Sequence, residues 1–509
     1  MLGNAEAEEP PAFDSLPADL LCSVAEKLDT QSLASFAAAC SACRAVAHEP
    51  LHEALLQVLK RCLRGIHIPP WIPNRPRSTS AWEAETFEGC SKNLKLLLLG
   101  NLTDVASVGD YAFRGCSSVS RCVLPSRVVT IGRNAFARCT SLAELTLPAT
   151  LTSIGDQAFS RCSALVELTL PTALTSIGAG AFKQCSSLAK LTLPAALTSI
   201  GDDAFYGCSS LTCLTFPASV VTIGCYAFGG CSSLTNVDFS AVTDANIDRF
   251  AFADCERLAK LTLPAALSRI DEGTFCRCSA LVELTLPTTL TNIGRNAFAR
   301  CTSLAELTLP ATLTSIGDNA FFGCSALTSL TFPTSLTTLA CAFFSCSSLT
   351  NVDFSAVTDA TFICKFAFIC CQRLRKWHVA LPAALSSIGR RAFDQCTSLA
   401  VLTLPATRPT TSIDDDAFFE EHSRTSITFP ASPRTTFDLR SFVGCSSLTN
   451  VNFSISRFAV IRCDVCLVKI TLPAALSRTD EGTIFQRLLR PRHFPRLLRP
   501  IAPSQIAPR

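Results

Sequence analysis

The feature that most constrains this chain is a fixed interval. Cys116, Cys139, Cys162, Cys185, Cys208 and Cys231 are each 23 residues apart, and a phenylalanine stands three positions before each one, from Phe113 to Phe228. The ladder runs on through Cys255, Cys278, Cys301, Cys324, Cys346, Cys371, Cys396 and, after a skipped unit, Cys445 behind Phe442. A unit this short cannot bury its own apolar face, so a constant period of this size means stacked units sharing one continuous core. The i, i+3 spacing places each Phe and Cys on the same side of a helical turn, and in a stack that side is the inside. Dividing 509 residues by the usual domain size of about 150 is therefore the wrong arithmetic for this chain.

The rest of the unit reads Leu-Ala-Glu-Leu-Thr-Leu-Pro-Ala-Thr-Leu-Thr-Ser-Ile-Gly-Asp-Gln-Ala-Phe-Ser-Arg-Cys from Leu142 and begins again at Leu165. Leu145 and Leu147 alternate with Thr146, which predicts a short strand with one buried face. Pro148 ends it by withholding a backbone donor. Leu151 and Ile154 supply a second inward step, Gly155 turns the chain, and Asp156 is placed to cap the short Ala-Phe-x-x-Cys turn. One strand segment per unit gives 17 candidates between Leu94 and Leu467.

These residues resemble the BspA-like leucine-rich repeat, whose units read Leu-Pro-x-x-Leu-x-x-Ile-Gly-x-x-Ala-Phe-x-x-Cys-x-x-Leu, over roughly Phe87 to Leu472. The resemblance implies a leucine-rich repeat solenoid, a right-handed β-rich superhelix of about 17 coils across residues 86–472. The pattern departs at Val237-Asp238-Phe239-Ser240 and Val352-Asp353-Phe354-Ser355, where proline is missing and an insertion follows, and again beyond Thr407. Those coils are expected to be irregular. Arg133 to Phe159 and Arg295 to Phe321 differ only at Gln157 and Asn319, so the array also expanded by copying blocks.

The chain holds 28 Cys, and 15 of them, counting Cys90, occupy the repeat position behind Phe. Equivalent Cα atoms on neighbouring coils would sit about 5 Å apart, inside the ~4.4–6.8 Å window of a disulfide, so distance does not forbid pairing. The compartment argues against it. Met1 to Pro10 carries Glu6, Glu8 and Glu9 with no basic or apolar run, which is not a secretory signal, so reduced thiols packed as small apolar groups are expected. The sequons at Asn101 and Asn452 matter only for an exported chain. Apolar segments such as Leu96 to Leu99 fall far short of the ~18 residues of a membrane span. A formal charge of +3 argues against general polyanion or nucleic-acid binding, which wants a concentrated basic face.

Residues 13–59 lack the repeat. Leu20, Leu21, Val24 and Leu28 form one amphipathic stripe, and Leu33, Phe36, Ala37, Cys40 and Ala47 another. The order Leu-Pro-x-x-Leu-Leu-x-x-Val-x-x-x-Leu-Asp-x-x-Ser-Leu, followed by Cys40 and Arg44, looks like an F-box, departing from it at Cys43, where many F-boxes have Trp. That resemblance implies a small all-α module docking on a Skp-type adaptor of a cullin-RING ubiquitin ligase. The adaptor-facing set would be Leu16, Pro17, Leu20, Leu21, Val24, Leu28 and Leu33. The alternative is a helical cap for the open end of the stack. The chain thus divides into an acidic disordered start (1–12), the F-box-like module (13–59), a Pro/Arg-rich linker (60–85), the solenoid (86–472), and a degenerate last coil with a basic tail (473–509). The tail reads either as a nuclear-targeting or anionic-surface segment or as a disordered end.

No phosphate-binding loop, zinc-protease motif or dinucleotide fingerprint is present, and the six His are scattered, so no catalytic, cofactor or metal site is expected. Cys463 and Cys466 form half a zinc spacing without a second pair; Cys40 and Cys43 read as packing. What varies and faces outward is the strand. Thr146, Thr169, Thr192, Thr262, Thr285 and Thr308 form one column, and Glu144, Glu167, Lys190, Lys260, Glu283 and Glu306 another, on the face expected to be concave. The function expected is non-enzymatic capture of a substrate protein for ubiquitination, in the cytoplasm or, through the basic tail, the nucleus. A scaffold or adhesin-type binder without a ubiquitin link is the other reading.

Overall fold

A computed structural model describes residues 105–357, 362–374 and 385–398, with shorter stretches from Ala81–Trp82 to Ile470–Thr471. The F-box-like set Leu16, Pro17, Leu20, Leu21, Val24, Leu28 and Leu33, the Cys463 and Cys466 pair and the basic tail lie outside the described residues. The chain divides into two compact units, Met1–Leu327 and Thr328–Arg509.

In the first unit each coil carries two strands rather than one. The two-residue strands Ala81–Trp82, Ser107–Val108, Thr130–Ile131, Ser153–Ile154, Ser176–Ile177, Ser199–Ile200, Thr222–Ile223 and Asn246–Ile247 form one eight-stranded parallel sheet. Its register sets like residue on like, Ile131 opposite Ile154 and Ile154 opposite Ile177. A two-residue strand shows no alternation to read, so the Leu-Thr-Ser-Ile segment gave only an inward step in the sequence. The ladder also reaches into the segment read as linker, since Ala81 and Trp82 pair with Ser107 and Val108. Proline opens the turn between the two strands: Leu151 N donates to Pro148 O at 3.1 Å and Leu174 N to Pro171 O at 3.1 Å.

The Phe-x-x-Cys segment is not helical, and the described residues contain no helix. Two positions per coil are left-handed: the residue before Ala-Phe (Asn134, φ 54°; Gln157, 54°) and the residue before Cys (Arg138, 64°; Arg161, 64°). A left-handed residue breaks a right-handed helix, so the segment becomes a run of tight turns. Alternate amides close within the coil, as in Ala137 N to Asn134 O at 3.1 Å, and the others reach the next coil, as in Phe136 N to Ala158 O at 2.7 Å and Arg138 N to Ser160 O at 2.7 Å. Inter-coil bonds thereby satisfy amides that a helix would have used internally.

Phe and Cys nonetheless point inward as the spacing required. Phe136, Phe159, Phe182, Cys139, Cys162 and Cys185 are all fully buried. The rings from Phe113 to Phe228 stack with centroids 5.0–5.2 Å apart and planes within 11°. Each thiol donates to the phenylalanine carbonyl one coil earlier: Cys139 Sγ to Phe113 O at 3.2 Å, Cys162 Sγ to Phe136 O at 3.3 Å and Cys185 Sγ to Phe159 O at 3.3 Å. Asp156 caps across coils rather than within its own turn, its Oδ1 accepting from Ala179 N at 2.8 Å. Gly155 serves close approach: a Cβ there would stand 2.8 Å from the backbone of Ile131 and Gly132.

The first proline-free coil is less irregular than expected. Asp238 replaces the proline turn by accepting from Ser240 N at 2.8 Å, and its strand, Asn236–Asp238, stays paired on both sides. The insertion instead interrupts the short-strand ladder, which ends at Asn246–Ile247 and resumes at Arg269–Ile270. In the second unit, Asp353 repeats the device on Ser355 N at 2.8 Å, and Phe343, Phe368, Phe393 and Phe418 stack at 5.5–5.7 Å.

All described cysteines are free, and those of the ladder are buried. Burial pushes the thiols of Cys139, Cys185 and Cys255 up to about 12, and those of Cys162, Cys208, Cys231 and Cys278 well above the ordinary value. A thiol held neutral in the fold contributes its full stability below the unfolded pKa near 9 and loses it as pH rises toward the folded value. The unfolding midpoint in urea should thus be flat up to about pH 8 and fall steeply above pH 9, each thiol costing about 1.4 kcal/mol per pH unit. Replacing Phe182 by Ala opens a gap in the ring stack and should cost about 3–5 kcal/mol in the same measurement.

Candidate interaction surface

The three-residue strands carry the outward columns. In the first unit they are Arg121–Val123, Glu144–Thr146, Glu167–Thr169, Lys190–Thr192, Cys213–Thr215, Asn236–Asp238, Lys260–Thr262, Glu283–Thr285 and Glu306–Thr308. Alternation decides their faces: Leu168, Leu191, Leu214 and Leu261 point into the core, while the residues on either side of each are exposed. All twelve sequence-predicted positions, the first-position Glu144, Glu167, Lys190, Lys260, Glu283 and Glu306 and the third-position Thr146, Thr169, Thr192, Thr262, Thr285 and Thr308, are exposed.

Register brings like positions side by side. Lys190 lies opposite Glu167, Lys260 opposite Asn236, and Glu283 opposite Glu306. Arg121, which stands outside the predicted columns, faces Glu144 and holds its carboxylate at 3.2 Å; Lys190 reaches Glu167 at 3.8 Å. Its signal was available in the strand register counted back from Glu144. Both pairs are solvent-exposed and contribute little to stability, about 0.2–1 kcal/mol at most. Glu283, Glu306 and Lys260 make no ion pair within the protein, so the row runs from neutralised pairs at one end to an uncompensated acidic pair at the other.

The threonines divide by role. On the short-strand side their hydroxyls cap the stack, Thr175 Oγ1 donating to Thr152 O at 3.1 Å and Thr198 Oγ1 to Thr175 O at 3.0 Å. On the three-residue strands Thr146, Thr169, Thr192, Thr285 and Thr308 hold no side-chain hydrogen bond within the protein and are left for solvent or a partner. Among the described residues no three His, Cys, Asp or Glu side chains converge as a metal set, and no helix is long and apolar enough to cross a membrane.

Parallel strands stacked at a fixed coil step, with a buried ladder and variable outward columns, define a leucine-rich repeat solenoid built for contact along its faces. The BspA type leucine rich repeat profile matches residues 80–212, 198–304, 268–380 and 361–487, and the chain belongs to that family. A leucine-rich repeat protein from Bacteroides ovatus is 30% identical, with 68% of this chain and 82% of that one covered and a TM-score of 0.55. The T. pallidum leucine rich repeat protein is 30% identical over 35% of this chain and 82% of its own, with a TM-score of 0.31. A leucine rich cell surface protein from Faecalibacterium prausnitzii is 22% identical over 72% and 89%, with a TM-score of 0.38. Among curated proteins none matches.

Glu283 and Glu306 sit opposite one another with like charge, which destabilises a sheet by about 0.2–1 kcal/mol. Glu283→Lys should therefore raise the melting temperature at low ionic strength, and the gain should shrink as salt is added.

Proposed function

We propose that this chain is a non-enzymatic protein-recognition molecule that holds a partner along its three-residue strands. The observation that carries this reading is the outward row itself. Inside the coil, Phe, Cys, Leu and Ile repeat with little change, while the first strand position runs through Arg121, Glu144, Glu167, Lys190, Cys213, Asn236, Lys260, Glu283 and Glu306. A surface that varies on a constant scaffold, and whose hydroxyls and acidic pair have no internal partner, suits selective contact.

The finer form of this proposal is substrate capture for a cullin-RING ubiquitin ligase, with Leu16, Pro17, Leu20, Leu21, Val24, Leu28 and Leu33 facing a Skp-type adaptor. The F-box-like order of residues 13–59 supports it. A scaffold or adhesin-type binder without a ubiquitin link is the second reading, favoured because the family match begins at residue 80 and owes nothing to that segment.

A pull-down with the Skp adaptor separates the two. Wild-type chain should retain the adaptor and the Leu20→Asp/Leu21→Asp variant should lose it; no retention by wild type would leave the scaffold reading standing. Glu144→Lys, Glu167→Lys, Glu283→Lys and Glu306→Lys together should weaken capture of co-purifying protein by about tenfold, equivalent to some 1.4 kcal/mol, while the array stays folded, the lost pairs with Arg121 and Lys190 costing about 0.2–1 kcal/mol each. Unchanged capture would move the partner to another face.

A further inference from the structure

The turn face of the first unit holds a local concentration of positive charge that the near-neutral total conceals. Arg114, Arg138, Arg161 and Lys183 come from four successive coils and line one recess of about 200 Å³ together with Asn134 and Ser160. Arg138 and Arg161 share one repeat position and so lie one coil step apart, with the rings beneath them stacked at 5.2 Å, while Arg114 and Lys183 stand one position earlier in their own coils.

Arg138 and Arg161 occupy the left-handed position before Cys, at φ 64° each. In four other coils that position is Gly115, Gly207, Gly230 or Gly323, the residue that accepts this conformation without strain, and in five it is Gln184, Asp254, Ser345, Cys370 or Gln395. Glycine is the unstrained choice there, so a side chain is not required by the fold, and Arg138 and Arg161 put theirs into the recess. Two further arginines share the position, but both are occupied within the protein: Arg277 Nε meets Asp254 at 3.2 Å, and Arg300 lies over the Phe322 ring at 5.6 Å. Arg138 and Arg161 have neither an ion pair nor a ring partner. Nearby acids are already engaged, Asp203 with Lys183 Nζ at 3.0 Å, and Asp110 and Asp156 with backbone amides at 2.6 and 2.8 Å. Asn134 and Ser160, 7% and 9% exposed, line the same recess with side chains that hold no hydrogen bond within the protein.

We propose that this recess binds an acidic polysaccharide, its sulfate or carboxylate groups held by the two unpaired guanidiniums and its ring hydroxyls by Asn134 and Ser160. Guanidinium forks grip both anions bidentately, and a linear polymer presents such groups in series, as the row of coils requires. Single-stranded nucleic acid is disfavoured because base stacking wants exposed rings, and no aromatic residue lines the recess. An acidic peptide adding as a strand is disfavoured because the amides of Phe136 and Arg138 on this face already donate to the next coil.

The test titrates the full chain at physiological ionic strength with four fluorescent probes: a heparin octasaccharide, a hyaluronan octasaccharide, a neutral dextran oligosaccharide and an oligothymidylate. One or both acidic oligosaccharides should bind, heparin alone indicating sulfate as the anion and both indicating carboxylate as sufficient. Arg138→Gly/Arg161→Gly should weaken that binding by about tenfold or more. Because glycine is native to this position in other coils, the variant should melt at the wild-type temperature or above it, which excludes misfolding as the cause. Arg277→Gly/Arg300→Gly, in the same register, should leave binding unchanged. The proposal is overturned if neither acidic oligosaccharide binds, if both double variants lose binding equally, or if the dextran or oligothymidylate binds as tightly as the acidic sugars.

Discussion

A backbone carbonyl has two lone pairs, and in the regular coils of this protein the phenylalanine carbonyl uses both. Phe136 O accepts Cys139 N at 3.2 Å within its own turn and the Cys162 thiol at 3.3 Å from the coil that follows. The group that fills the second site must be small, must have a proton to give, and must lose little on leaving water. A thiol meets all three conditions, since it behaves as a small apolar residue with a weak donor. The same contact fixes the coil step, and that step is also a stacking distance for the rings. Equivalent positions on the outside, including the paired charges of the strand face and Arg138 and Arg161 on the turn face, inherit their spacing from this buried exchange.

The insertion after Asp238 shows which part of the coil is dispensable. It breaks the short-strand ladder, yet Cys255 Sγ still reaches Phe228 O at 3.4 Å and the rings of Phe228 and Phe252 remain stacked at 5.3 Å. The extra residue is absorbed on the side where two short strands meet through few bonds. The densely bonded turn side continues without a gap. Irregularity in sequence is thus tolerated where hydrogen bonding is sparse and excluded where thiol, ring and alternating amides act together.

Much of this was legible in the sequence. The period gave the stack, the Phe and Cys spacing gave the inward face, and Thr146 between Leu145 and Leu147 gave the strand whose flanks are exposed. The second strand was not legible, because Ser153–Ile154 is too short to show a period. Nor was the conformation of the turn. An i, i+3 pair fits a helix as well as successive tight turns, and only the left-handed Asn134 and Arg138 separate them. Counting total charge hid the basic recess for a related reason: Arg114, Arg138, Arg161 and Lys183 are far apart in the chain and become neighbours only when coils stack. Asp156 was recognised as a cap, but its donor, Ala179 N, belongs to the next coil.

The close equivalence of coils has a consequence for how such a chain acquires new surfaces. Each coil offers its neighbours the same buried groups, so whole coils can be gained or lost by recombination between repeats and the junction still finds matching partners. The near-identical blocks Arg133 to Phe159 and Arg295 to Phe321 are the trace of such an event. Yet the copies do not behave alike. Arg138 has no counterpart to the ring of Phe322 that Arg300 acquired, because the coil that follows each copy differs. A copied segment keeps its core and takes its surface chemistry from the new neighbour, so diversity arises at the seams, without a change inside the copied block.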